Sequence, residues 1–364
     1  MKNYYPFDNI DLGKPDPIIL GIESSCDETA AAVIRGRKIL SDEIASSASV
    51  QAQFGGVVPE IASRAHTDAI AQVVDASVKN AGVTYEDLDA VAVTDGAGLL
   101  GALLVGVSFA KALAYSLNKP LIAVNHIRGH LAAAYLDSPD LQAPFVTLLA
   151  SGGHTAILYA KSEAEFEILG ATLDDAAGEA FDKVARVLGL QYPGGPHIER
   201  CAKAGQNTVP MPKMLKGLGG YNFSYSGLKT AVINYCHTKE QKGESYSKAD
   251  VAASFQSAAV DILVEKTVEA AREKGVSTVT AGGGVAANGY LRERLQKACD
   301  KAKLRLILPE RRYCTDNAAM IASEGLVQFR LGNFADMTLT AKASIPLAAT
   351  LETVQSKRAA EKKE

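Results

Sequence analysis

The sequence predicts an α/β fold in which one arrangement of strands and helices is built twice. Three observations carry this. Each half reads strand–turn–strand and then alternates helix with strand. Small-residue turns follow strands at matching places in the two halves. With 47% hydrophobic and 22% charged residues, the 364-residue chain can bury a full core. At roughly 100–200 residues per domain, this length suits two or three domains or one large duplicated one.

The first half opens with a strand in PIILGIE from Pro17, a turn at Ser24 and Ser25, and a strand over Thr29–Ile34. A turn at Arg35–Arg37 leads into a third strand, Lys38–Ile44, completing an antiparallel meander. Pro59 and Glu60 start a helix with its apolar register at Ile61, Ala65, Ile70 and Val73/Val74. Strand Ala90–Val93, the turn DGAGLLG and an apolar helix follow, and strand Leu121–Val124 runs directly into His126.

The programme restarts at Pro144. PFVTLLA is a strand, Ser151–Gly153 a turn, and Thr155–Tyr159 the returning strand. A helix spans Gly178–Leu188, and a long one Lys248–Lys274. Then come strand Ser277–Thr280, turn Gly282–Gly284, helix Ala287–Cys299, strand Leu304–Leu308 and helix Asp316–Leu331. The stretch 191–246, rich in Pro and Gly, breaks the pattern. Long irregular segments inside compact domains tend to be functional, so it reads as an ordered, substrate-facing insertion with Phe223 and Tyr225 offered to ligand. The expected division is an N-terminal extension (1–16), a first lobe (17–142), a second lobe (143–345) carrying that insertion, and a charged tail (346–364).

Net charge is −3, which argues against a broad basic face for nucleic acid; any RNA contact must be a local patch or need a partner. The five cysteines (Cys26, Cys201, Cys236, Cys299, Cys314) have no C-x-x-C spacing, which favours a reducing, cytoplasmic setting. The N-terminal run lacks the apolar segment of a signal peptide. The apolar stretch Ala97–Ala110 ends at Lys111, short of the about 20 residues that cross a bilayer, so it reads as a core helix and no membrane partner is expected.

In NHIRGH, His126 and His130 stand four apart, and on a helix both imidazoles leave one face and can share a metal. Helix-face histidines without metal are the plain alternative. Ile127 occupies the place where zinc proteases carry their Glu base, which argues against that chemistry. Asp316 in CTDNAAMIA is a third ligand or else a helix-capping carboxylate. GIESSCDET, LLASGGHT and TAGGGVAANG are small-residue turns whose amides can approach phosphate oxygens, so they suggest a nucleotide held between lobes. Asp27 and Glu28 follow the first of these turns, either as a base or metal carboxylate or as plain surface acids. Asp182 and Lys183 in GEAFDK, and the rigid PGGP turn, are unremarked by spacing alone.

Together these runs, with GGVVPEIASRAH, VTDGAGLLGALLVG, NFSYSGLKTAV and GGGVAANGYLRERL, resemble the bacterial branch of the tRNA threonylcarbamoyladenosine transferases (TsaD, YgjD or Gcp) over nearly the whole chain. The resemblance implies a duplicated actin/Hsp70-like (ASKHA, RNase H-like) two-lobed fold with mixed sheets flanked by helices. It implies transfer of a threonylcarbamoyl group from threonylcarbamoyl-AMP to N6 of the adenosine 3′ of the anticodon in tRNAs reading ANN codons. It implies one divalent metal per subunit, Fe²⁺ with Zn²⁺ or Mg²⁺ as alternatives, on His126, His130 and Asp316. Leu149, Ala150, Ser151, Gly152, Gly153, Asp182, Gly195 and Asn288 are the implied adenylate contacts, and Asp27 and Glu28 the catalytic candidates.

Implied partners are tRNA, a TsaB-like paralogue and a TsaE-like small ATPase, with a TsaC-like synthase supplying the adenylate. Lys229, Arg311 and Arg312 are candidate phosphate contacts. Two departures stand out. Ala318 replaces a common Gly, and Arg128, lying between the histidines, is expected to add positive charge there. The rival readings are a glycoprotease-type metalloprotease and an ASKHA-type ATPase or kinase.

Overall fold

A computed structural model describes residues 10–214 and 220–351. The first nine residues of the N-terminal extension and the tail from 352 onward lie outside them.

The first sheet contains β1 (Ile18–Glu23), β2 (Glu28–Arg35), β3 (Lys38–Ser46), β4 (Ala90–Gly96) and β5 (Leu121–Asn125), in the order β3-β2-β1-β4-β5. β1, β2 and β3 form the antiparallel meander, while β4 and β5 continue parallel to β1. The second sheet contains β6 (Phe145–Ala150), β7 (Thr155–Ala160), β8 (Phe166–Ala171), β9 (Thr278–Gly282) and β10 (Arg305–Ile307), in the order β10-β9-β6-β7-β8. Read from β8, this is the strand order of the first sheet, with β7 antiparallel and β9 parallel to β6. The internal duplication is therefore topological. Strand β8 was not expected; it is a half-buried segment lacking the continuous apolar run that marks its neighbours.

Helices are α1 (Pro59–Asn80), α2 (Leu100–Leu117), α3 (His126–Ala132), α4 (Ala177–Val187), α5 (Gly194–Ala202), α6 (Ser226–Gln241), α7 (Lys248–Glu273), α8 (Gly289–Ala302) and α9 (Ala318–Arg330), besides short turns. α2 is long and apolar enough to cross a membrane by length and composition. Its Leu103, Val107, Ala110 and Ala114 pack into the first core, the role expected for this segment.

The chain divides into two compact units. One gathers described residues 10–141, 162–166 and 316–351; the other gathers 142–161, 167–214 and 220–315. Chain order alone assigns 316–345 to the second lobe, but by contacts this stretch belongs to the first unit. The cause is α9, an almost wholly buried helix that packs on β1, β2 and β4. Its approach is close: a Cβ at Gly21 on β1 would lie 2.4 Å from the Ala318 carbonyl oxygen, and one at Gly325 would lie 2.6 Å from Ala92 Cβ.

The stretch 191–246 is less irregular than its composition suggests, because it contains α5 and α6. Phe223 and Tyr225 are not offered to a ligand: they are 1% and 0% exposed and sit in the core of the second unit. Phe223 bridges to Thr172 beside β8, and its ring stacks on that of Tyr225, the N-cap of α6, with centroids 6.5 Å apart.

Candidate active site

β5 ends at Asn125, whose side chain accepts a hydrogen bond from the Ile127 amide and starts α3 with His126 as its first residue. One helical turn then brings the His126 and His130 rings edge to face, 4.6 Å apart. α9 delivers the third group. Its cap is Asn317, which accepts from the Met320 amide at 2.9 Å, so capping does not consume the Asp316 carboxylate. Asp316 Oδ1 lies 3.3 Å from His126 Nε2 and 3.4 Å from His130 Nε2.

These donors fit a metal ion. One ligand atom from each residue falls within 4.8 Å of the others. Metal bonds of about 2.0–2.2 Å at a tetrahedral angle separate neighbouring donors by about 3.3–3.6 Å, the spacing Asp316 keeps from each imidazole. His130 is 1% exposed, and among the described residues neither of its ring nitrogens makes a hydrogen bond. Such an unsatisfied buried group is costly unless something else occupies it. Two imidazoles and a carboxylate suit iron or zinc better than magnesium, which favours oxygen ligands.

Charges follow from the packing. Burial opposes a charged His126, but the Asp316 and Glu23 carboxylates on either side outweigh it and hold its pKa well above the usual value. Burial, with the neighbouring His126 charge, lowers the pKa of His130 and keeps that ring neutral, the ligand form. Burial acts to raise the pKa of Asp316, but the His126 charge and the two imidazoles set against the carboxylate prevail and lower it.

Asp27 lies in the turn between β1 and β2, and Glu28 opens β2. His66 on α1 holds it from behind: Nε2 lies 2.9 Å from the Cys26 carbonyl oxygen and Nδ1 lies 2.7 Å from Thr29 Oγ1. Burial and the adjacent Asp27 carboxylate push the pKa of Glu28 up to about 9. Glu28 therefore holds its proton near neutral pH.

The predicted adenylate residues all fall in the second unit. Leu149 and Ala150 end β6 beside Gly282 at the end of parallel β9. In open α/β sheets this carboxyl edge is where ligands bind. Gly283 has φ +91°, and a Cβ there would meet the Ala150 carbonyl oxygen at 2.4 Å, so only glycine lets the two turns meet. Gly152 and Gly153 face open space. Asp182 Oδ1 accepts from the Gly194 amide at 2.7 Å at the start of α5, while burial raises its pKa. Asn288 caps α8 through the Leu291 amide and donates to Gln256. A cavity of about 960 Å³ elsewhere in this unit, lined by residues such as Val209, Met211 and Lys266, shares no residue with this edge.

A family model described as TsaD, tRNA N6-adenosine threonylcarbamoyltransferase, matches residues 38–323. The Clostridium perfringens (strain SM101) protein named tRNA N6-adenosine threonylcarbamoyltransferase is 50% identical over 332 residues, 91% of this chain and 98% of that protein. The Caldicellulosiruptor bescii protein of the same name is 52% identical over 317 residues, covering 86% of this chain and 94% of that protein. The chain belongs to the tRNA N6-adenosine threonylcarbamoyltransferase family.

Solved structures add the fold. Full-length HypF in its phosphate- and nucleotide-bound form matches with TM-score 0.60 at 15% identity, over 88% of this chain and 48% of HypF. Acidaminococcus fermentans (R)-2-hydroxyglutaryl-CoA dehydratase component A matches with TM-score 0.50 at 15% identity, over 85% of this chain and 99% of that one. The paired mixed sheets flanked by helices are the actin/Hsp70-like arrangement expected of a transferase of this family.

Two expectations need correction beside the aromatic pair. Arg128 does not charge the metal site. Its Nε donates to Glu324 at 2.6 Å and both groups are buried, so its charge is spent on a partner. Lys229 already pairs with Asp175 at 2.7 Å, so a phosphate would have to compete for it. Arg311 and Arg312 are exposed, with Arg312 beside Glu310. One important residue went unnoticed: Glu23, fully buried behind His126. The available signal was a lone acid ending the apolar run IILGI.

Proposed function

We propose that this chain transfers the threonylcarbamoyl group from threonylcarbamoyl-AMP to N6 of the adenosine 3′ of the anticodon in tRNAs reading ANN codons, with release of AMP. The observation carrying this reading is the 50% identity over 98% of a relative so named, joined to a His126–His130–Asp316 triad whose spacing suits one metal ion. The proposed metal is Fe²⁺, with Zn²⁺ as the alternative that the donor set also accepts. When bound, it would supply a Lewis acid for phosphate or carbamoyl oxygens.

The proposed adenylate contacts are Leu149, Ala150, Ser151, Gly152, Gly153, Asp182, Gly195 and Asn288; Gly152, Gly153 and Gly195 have open space where a Cβ would stand, which suits close approach of phosphate oxygens. An exocyclic amine is a weak nucleophile, so a base beside it matters. Asp27 is assigned that role. Glu28, which holds its proton, is assigned hydrogen-bond donation. The near-neutral chain is proposed to engage tRNA with a TsaB-like paralogue and a TsaE-like ATPase, in the cytoplasm, where a TsaC-like synthase supplies the adenylate.

The test is transfer of labelled threonylcarbamoyl to unmodified tRNA, with and without those partners. Asp27→Asn is expected to slow transfer by about 10²-fold or more while adenylate binding is kept. Full transfer by this variant would remove Asp27 as the base. No transfer by the wild type with all partners present would remove the proposed activity.

A further inference from the structure

We propose that Glu23 is a positioning residue for the metal centre, fixing the His126 ring so that Nε2 presents its lone pair to the ion. The inference rests on the reading that His126, His130 and Asp316 hold a metal, and it adds a residue that reading does not contain. Glu23 ends β1 and is 0% exposed. A buried carboxylate needs several donors, and three converge here. The Ser25 amide donates to Oε1, Thr94 Oγ1 donates to Oε2 at 2.7 Å, and His126 Nδ1 lies 3.1 Å from the same Oε2. Thr94 is on β4 and His126 follows β5, so adjacent strands hold the arrangement.

With a metal bound at Nε2, the contact at Nδ1 sets the tautomer. Nδ1 faces an acceptor-only carboxylate and Nε2 faces Asp316 Oδ1 at 3.3 Å. A proton on Nδ1, donated to Glu23, leaves Nε2 as the metal donor. Ser25 Oγ, 3.2 Å from Nδ1, is a weaker neutral acceptor at the same nitrogen. Carboxylate partners of metal-bound histidines hold ring orientation and raise ligand basicity, and losing one costs about 10–100-fold in metal affinity. A Gln at this position cannot replace the carboxylate. With its oxygen toward His126, its NH₂ meets the Ser25 amide. Reversed, its NH₂ faces Nδ1 and favours the opposite tautomer.

The experiment measures Zn²⁺ affinity of the full chain against a competing chelator for wild type, Glu23→Gln and His130→Ala. Expected results are tight binding by wild type, binding about 10–100-fold weaker for E23Q, and the largest loss for H130A. Wild-type affinity in a folded E23Q would overturn the proposal. A wild type that takes no Zn²⁺ would overturn the metal reading itself, so the two failures are told apart. Should E23Q not fold, ¹⁵N NMR of Zn²⁺-loaded wild type decides. His126 Nδ1 protonated and hydrogen-bonded supports the proposal, and Nδ1 unprotonated overturns it.

Discussion

Asp316 stands one residue before a helix cap, and that single position governs its chemistry. Asn317 satisfies the free amide at the start of α9, so the Asp316 carboxylate faces His126 and His130 instead. Sequence spacing alone favours the cap over the ligand for an Asp at a helix start. Neighbouring side chains decided between them. Glu28 illustrates the same point with a measurable consequence. Its folded pKa of about 9 exceeds the usual 4.5 of a free Glu, because burial and Asp27 disfavour the charged form. Below the lower value both folded and unfolded chains are protonated and nothing is lost. As pH rises towards the higher value, only the unfolded chain ionises, so stability falls. Metal-free Glu28→Gln should therefore melt near the wild type at acid pH and progressively above it towards pH 9, read by thermal unfolding across pH. A constant gap would mean that Glu28 titrates alike in the folded and unfolded chains.

At the scale of elements, α9 is the piece whose placement brings Asp316 to the two histidines. Two substitutions test its seat. Asn317→Ala removes the cap and should cost about 1 kcal/mol, with a matching loss of metal affinity as the preceding Asp316 is released. Gly21→Ala puts a Cβ 2.4 Å from the Ala318 carbonyl oxygen, a backbone atom that cannot step aside without moving the helix. Overpacking of this kind costs about 1–3 kcal/mol. Denaturant unfolding checks both, and an unchanged midpoint for G21A would show that α9 can shift freely. The elements themselves were largely legible in the sequence. The meander, the helix begun by Pro59 and the strand leading to His126 depend on period and turn chemistry, which are local. Phe223 and Tyr225 were misread because composition reports a Pro- and Gly-rich stretch but not which way its extended residues face.

For the whole molecule, the chain's final third does two jobs. Residues before 316 complete the second unit, and those after it return to cover the first sheet. A chain ending at residue 315 should therefore lose protection in the first unit, seen by hydrogen exchange at β1 and β4, while β6 and β9 stay protected. Equal protection in both units would show that α9 is dispensable for the first core.

By itself the sequence determined the doubled order of strands and helices, the histidine pair and the family, since these rest on periodicity, short spacing and motifs read in order. Only the tertiary structure showed the Asp316 carboxylate lying against both imidazoles, Arg128 paired with Glu324, and Glu23 standing behind His126. Each of these joins residues far apart in the chain, or across strands, through packing of buried charge. Local pattern carries no record of such partners, because the energy that selects them appears only once water has been excluded around both.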